Sequence, residues 1–207
     1  MEFLEVLSSR RSVPSFDPSV SIDRTVLLEI LNTANLAPSS MCLQQWEYIV
    51  CDTPEAKARL QAASFNQKKI TEASAVVIVL GNLKAAEQHA EIVADANMEA
   101  GYFGEDRRER WIASAKKGWP TDRVERDEAF RGPSLWAMTF MLAAKEAGWD
   151  TAPMGGYEPD KVIAEFGLPE THIPVLLIAI GKANPEITLL PRVKRIPAET
   201  LAHFNNW

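Results

Sequence analysis

The chain alternates two kinds of apolar pattern. One is the continuous apolar run, seen at Ala75–Leu80, where it is rich in β-branched residues, and at Ile173–Ile180. Each is too short to span a bilayer and reads as a strand buried on both faces. The other is helical spacing. Val26, Leu27, Ile30, Leu31 and Ala34 recur with it, behind a cap at Ser21 or Asp23 and ahead of a stop at Pro38. The pattern further predicts a short amphipathic helix over 2–9 and a strand over Trp46–Cys51. It predicts helices over Pro54–Ala63, Ser134–Ala147 and Pro159–Phe166, the last two ended by Gly148 and Gly167. Residues 84–130 read as polar, mostly helical and broken near Gly118-Trp119-Pro120. The tail, 184–207, carries three prolines and reads as extended. Helices interleaved with a few buried strands place the chain in the α/β or α+β class.

Length and composition narrow this picture. At 207 residues with 46% hydrophobic content, one domain covering 1–207 is expected. The net charge of −6 gives no reason to expect nucleic acid or an anionic membrane as partner. The N-terminus sets its apolar residues before Arg10 and Arg11, the reverse of a signal peptide, and Cys42 and Cys51 form no CxxC or disulfide framework. Free thiols and a cytoplasmic location are the expectation.

Common catalytic constellations are missing. His89, His172 and His203 lack partners at zinc-ligand spacing. There is no GxSxG elbow, no P-loop, and no strand followed by GxGxxG. Residues 105–128 hold seven acids and seven bases, which reads as a solvated helical face.

Five segments remain, in order along nearly the whole chain: Ser9–Phe16, Ala37–Trp46, Asn66–Ile70, Ala152–Tyr157 and Pro191–Pro197. Together they resemble the nitroreductase family. The resemblance implies an α+β sandwich with a central, mainly antiparallel sheet flanked by helices. It implies a homodimer with FMN at the subunit interface and a C-terminal extension reaching the partner. It also implies a ping-pong cycle in which NAD(P)H reduces FMN and a nitroaromatic, quinone or related small acceptor is then reduced. The chemistry would occur at flavin N5, so no side chain is assigned as catalytic.

The resemblance gives each segment a role. Arg10, Arg11 and Ser12 would hold the flavin phosphate, which suits paired guanidinium hydrogen bonds. The same arginines would also complement the negative end of a first helix. Pro38, Ser39, Ser40 and Cys42 would reach the flavin of the other subunit; otherwise they form a helix stop and polar turn. Asn66 and Lys69 would face the pyrimidine edge of the ring, where an ammonium stabilises the charge left by reduction. Met154, Gly155 and Gly156 would bring backbone close to the ring, or form a turn after a strand. In the tail, Arg195 would close over the phosphate, with Arg192 and Lys194 competing for a second place.

The chain departs from the family pattern at four positions. Cys42 stands where Asn is usual and Gln45 where Pro is usual; Pro14 replaces a frequent Lys or Arg, and Gly155 a frequent Glu. Phe103, Trp111 and Trp119 could stack on aromatic substrates, but such residues more often anchor packing. The scaffold also hosts enone reduction, reductive dehalogenation and flavin fragmentation. A non-catalytic flavin-binding protein and a helical interaction protein using 105–128 are the other readings.

Overall fold

In the computed structural model, which describes residues 2–207, four strands form one antiparallel sheet: β1 (Trp46–Cys51), β2 (Ala75–Asn82), β3 (Asp150–Met154) and β4 (His172–Gly181). Their spatial order is β1-β2-β4-β3, so the two long apolar runs lie at the centre. Every residue of β2 is buried. Alternation along these strands divides the core. Val77, Val79, Ile178 and Ile180 face one side, with helices α2 (Arg24–Ala34) and α7 (Asp122–Glu146). Val76, Ile78, Leu80, Leu177 and Ala179 face the other, with α3 (Pro54–Ala62), α4 (Lys68–Glu72) and α8 (Pro159–Phe166). Each such aliphatic side chain contributes roughly 1.5–3 kcal/mol of burial. The remaining helices are α1 (Phe3–Ser9), α5 (Ala85–Glu99), α6 (Glu105–Lys116) and α9 (Ala198–Leu201).

Local signals explain most boundaries. Asp23 rather than Ser21 caps α2, accepting from the Thr25 N–H at 2.7 Å. Thr53 caps α3, whose first residue is Pro54. Gly167 closes α8 at φ 63, a left-handed position that favours glycine. β3 is the strand the apolar pattern does not announce. It is five residues long and contains Pro153, which an edge strand tolerates because one side of it needs no donor.

The largest correction concerns α7, which joins the helical end of the 84–130 stretch to the helix expected from Ser134 and runs unbroken through Pro133. A proline inside a helix leaves the carbonyl four residues earlier without its N–H donor. Here that carbonyl belongs to Ala129, and it lies against Gly81 of β2. A Cβ built on Gly81 would stand 1.9 Å from the Ala129 oxygen. The bare glycine and the freed carbonyl therefore fit together, and α7 seats on the sheet at that point.

The charged stretch 105–128 is solvated for most of its length, in exposed pairs such as Arg108–Asp95 and Lys116–Glu91. Glu128 is the exception, at 6% exposure. Phe103 and Trp111 tilt against each other, 6.2 Å between ring centres, and cover a small third cluster built on Leu43, Ile112 and four alanines. They act as packing anchors. Cys42 and Cys51 are both free thiols. Burial pushes the Cys51 thiol up to about 12. No helix among the described residues is long and apolar enough to cross a membrane.

Candidate functional site

Arg10 is the C-cap of α1, its N–H bonded to the Val6 carbonyl at 2.9 Å. From there the chain runs extended along the sheet edge. Ser12 bridges Thr151 of β3 in parallel, with the Val13 N–H on the Thr151 carbonyl at 3.2 Å, and Phe16 bridges Ala183. The tail then returns over the same corner. Arg11 donates to the Leu190 carbonyl at 2.8 Å. Arg192 donates to the Ser8 carbonyl at 2.9 Å and also to that of Arg10. Two stretches about 180 residues apart in sequence thus make one corner.

That corner gathers positive charge. Burial, followed by the charges of Arg192, Arg195 and Arg11, holds the Arg10 guanidinium below its ordinary value. Its Nε is buried and has no hydrogen-bond partner. Among the described residues no carboxylate pairs with any of these four arginines. Lys194 is exposed and is not among the charges that act on Arg10, whereas Arg192 is. A buried cationic donor left unmet is costly, on the order of 1–3 kcal/mol, and an anion with oxygen acceptors is the kind of group that would relieve that cost.

The segments at 66–69 and 154–156 meet nearby. Phe65 and Asn66 both take left-handed backbone, φ 53 and 55, and turn the chain into α4. Gln67 then donates to the Gly156 carbonyl at 2.6 Å, and the Glu158 N–H reaches the Ala63 carbonyl at 2.9 Å. A Cβ on Gly156 would touch Gln67 Nε2 at 3.4 Å, while one on Gly155 would face open space. Lys69 is half-buried on α4, and Glu72 of the same helix accepts from the Phe16 N–H at 3.4 Å. The Met154 side chain is not available to a ligand, being 4% exposed in the second core cluster. Thr151, beside Ser12, and Gly155 lie four residues apart on one extended run, or about 13 Å. The arginine corner and the glycine turn therefore sit at two ends of one elongated surface.

The segment at Pro38–Cys42 stands apart. None of its hydrogen bonds among the described residues reaches the arginine corner or the glycine turn. Met41, Cys42 and Gln44 take left-handed backbone, at φ 53, 56 and 48. Ser39 Oγ accepts from the Gln44 N–H at 2.9 Å, and His89 Nδ1 lies 2.8 Å from the Leu43 carbonyl. Cys42 is exposed. Pro38, Ser39 and Ser40 line a cavity of about 170 Å³ with Glu128, Arg131, Gly132 and Leu135 of α7.

Three groups at this site were not singled out from the sequence. Gln67 lay inside a named segment but carried no distinguishing mark. Glu128 was one acid among seven in a charged run. Gly132 precedes a proline and offers no pattern by itself.

Known proteins resemble this chain over most of its length. The nitroreductase family model matches residues 7–182. YodC of Bacillus subtilis, provisionally named an NAD(P)H nitroreductase, is 38% identical over 180 residues, covering 87% of this chain and 89% of that protein. An enone reductase of CLA biosynthesis from Lactiplantibacillus plantarum is 32% identical over 190 residues, covering 89% and 87%. The solved structure of a provisionally named nitroreductase from Exiguobacterium sibiricum, in complex with FMN, superposes with a TM-score of 0.90 at 34% identity, covering 99% of this chain and 98% of that one.

Proposed function

Because the chain belongs to the nitroreductase family, an oxidoreductase family, we propose that it binds FMN along the surface between the arginine corner and the glycine turn, and that it uses NAD(P)H to reduce nitroaromatics, quinones or related small acceptors. The observation that carries this reading is the four-arginine corner with the buried, unpartnered Nε of Arg10. The residues present fit the cofactor. Arg10, Arg11, Ser12, Arg192 and Arg195 would hold its phosphate. Gly155, open at its Cβ position, and Gly156, which carries no side chain beside Gln67, would let backbone N–H groups approach a flat ring.

Bound there, FMN would supply the hydride-transfer chemistry that links NAD(P)H to the acceptor. The protein's part is electrostatic and positional. Lys69 would stabilise negative charge on the pyrimidine edge, with Asn66 facing the same edge. Gln67 fixes the Gly156 carbonyl and so the orientation of the peptides on either side. With Pro14 where relatives often carry a cation, Lys69 carries more of that charge stabilisation alone.

The tail supports a homodimer with a site shared between subunits. Leu190, Val193, Phe204 and Trp207 project their apolar side chains into solvent, at 79%, 75%, 83% and 99% exposure. Apolar groups this exposed along one segment suit burial against a second copy. The isolation of Pro38–Cys42 from its own arginine corner suits a loop that serves the partner's flavin. Sedimentation of the full chain at micromolar concentration should give the mass of a dimer, and a monomer would refute this part.

The central test is the absorption spectrum of the purified protein before and after anaerobic NADH or NADPH. The expected result is a yellow protein, with or without added FMN, that bleaches. Flavin that stays oxidised marks a non-catalytic binder, and a colourless protein that refuses FMN overturns the proposal. Enone reduction is the second reading, favoured by the L. plantarum relative. Comparing an enone with 1,4-benzoquinone as the oxidant of the bleached protein separates the two.

A further inference from the structure

The loop from Pro38 to Gln45 is held in an unusual conformation by one face of α7. Three of its residues that are not glycine take left-handed backbone, which persists only where the surroundings enforce it. Beside the contacts of His89 with Leu43 and of Ser39 with Gln44, two grips on a single residue, Ser40, contribute to it. Its hydroxyl donates to Glu128 Oε2 at 2.8 Å, and its carbonyl accepts from Gln45 Nε2 at 3.2 Å. Both grips trace back to α7. Glu128 is buried and is itself held by Arg131, one turn along. Gln45, at 2% exposure, sits directly against Gly132, where a Cβ would come within 2.9 Å of its Oε1. Glu128 and Gly132 are four residues apart, so they lie on one face of the helix. The cavity lined by Pro38, Ser39 and Ser40 is bounded by the same residues.

We propose that Glu128 and Gly132 are positioning residues: they set where Pro38–Cys42 presents itself to the flavin of the partner subunit. Glu128 fixes the Ser40 hydroxyl. Gly132 leaves the space that lets Gln45 reach the Ser40 carbonyl. Neither needs to touch flavin or substrate. Gln45 stands where proline, lacking a side-chain amide, is usual in relatives, so this second grip belongs to the chain's own sequence. The proposal rests on the reading that Pro38–Ser40 face a bound flavin.

The holoprotein tests it through E128A, E128Q and G132A. Three readouts are taken on each: melting temperature, the visible circular dichroism of bound FMN, and the kcat and KM for 1,4-benzoquinone with NADH or NADPH in excess. E128Q keeps an oxygen acceptor for Ser40. E128A removes it. G132A displaces Gln45 while leaving the Glu128–Arg131 pair in place. The expected result is an altered flavin dichroism and a KM raised at least about fivefold in both E128A and G132A, with E128Q nearer to wild type. Should E128A fail to fold, G132A gives the same reading without removing a buried charge. Variants that lose melting temperature but keep the dichroism and KM of wild type would show a purely structural role and overturn the proposal. A wild-type protein that takes up no FMN overturns the functional reading as well; FMN binding that is blind to both substitutions overturns only this inference.

Discussion

Replacing Arg10 with methionine should move two quantities in opposite directions. Methionine keeps an apolar stem for the half-buried site but removes the guanidinium. In the cofactor-free chain this relieves repulsion from Arg192, Arg195 and Arg11 and removes a buried Nε without a partner. After screening by solvent, the two effects together amount to about 1–2 kcal/mol. For a chain of this length that raises the melting temperature by about 2–8 °C. With FMN the sign reverses. One charge-assisted hydrogen bond to phosphate, about 1.5–3 kcal/mol, is lost, which weakens binding by about 10–150-fold. Titration of the cofactor-free protein with FMN, followed by quenching of flavin fluorescence, measures this directly. Riboflavin, which lacks the phosphate, is the control and should bind wild type and variant alike. Raising salt from about 0.1 M to about 1 M shortens the screening length from about 10 Å to about 3 Å and should weaken FMN far more than riboflavin. An equal loss for both ligands, or no loss for either, would refute the assignment of this corner to the phosphate.

Two further outcomes follow from the geometry. Lys69→Ala should lower the midpoint potential of bound FMN and Pro14→Arg should raise it, each by roughly 20–60 mV, the equivalent of about 1–3 kcal/mol for two electrons; potentials unchanged in both variants would sink the charge argument. Gly81→Ala should cost about 3 kcal/mol or more, because its Cβ would stand 1.9 Å from the Ala129 oxygen, and thermal unfolding of a variant as stable as wild type would show that α7 does not lie on β2 as described.

How much of this was legible in the sequence depended on where the deciding force acts. The central strands were readable because burial on both faces writes itself as an unbroken apolar run. The caps at Asp23 and Gly167 were readable because they are local chemistry. The polar first half of α7 was readable as helix, but its continuity through Pro133 was not. Pro133 argues against a helix locally, and only the contact with Gly81, fifty residues away, shows how the freed carbonyl is accommodated. The arginine corner was visible in outline as two basic segments. Its choice of Arg192 over Lys194 came from the path of the tail. The left-handed backbone at Met41, Cys42 and Gln44 had no signal, since none of these residues favours that conformation by itself. It is imposed by groups on α5 and α7 that sequence places far away.

The arginine corner also has a consequence for how the protein is made. Its cations come from residues 10–11 and from residues 192–195, joined by the bonds from Arg192 to the Ser8 and Arg10 carbonyls. On the ribosome, a nascent chain carries the first pair from the outset and lacks the second until synthesis has passed residue 195. The strands, by contrast, are complete in sequence by Gly181. In the proposed reading, capture of the flavin phosphate at full strength therefore has to wait for the last residues to be made, and a chain cut short between Gly181 and Arg192 would carry every strand but only the first pair of that grip.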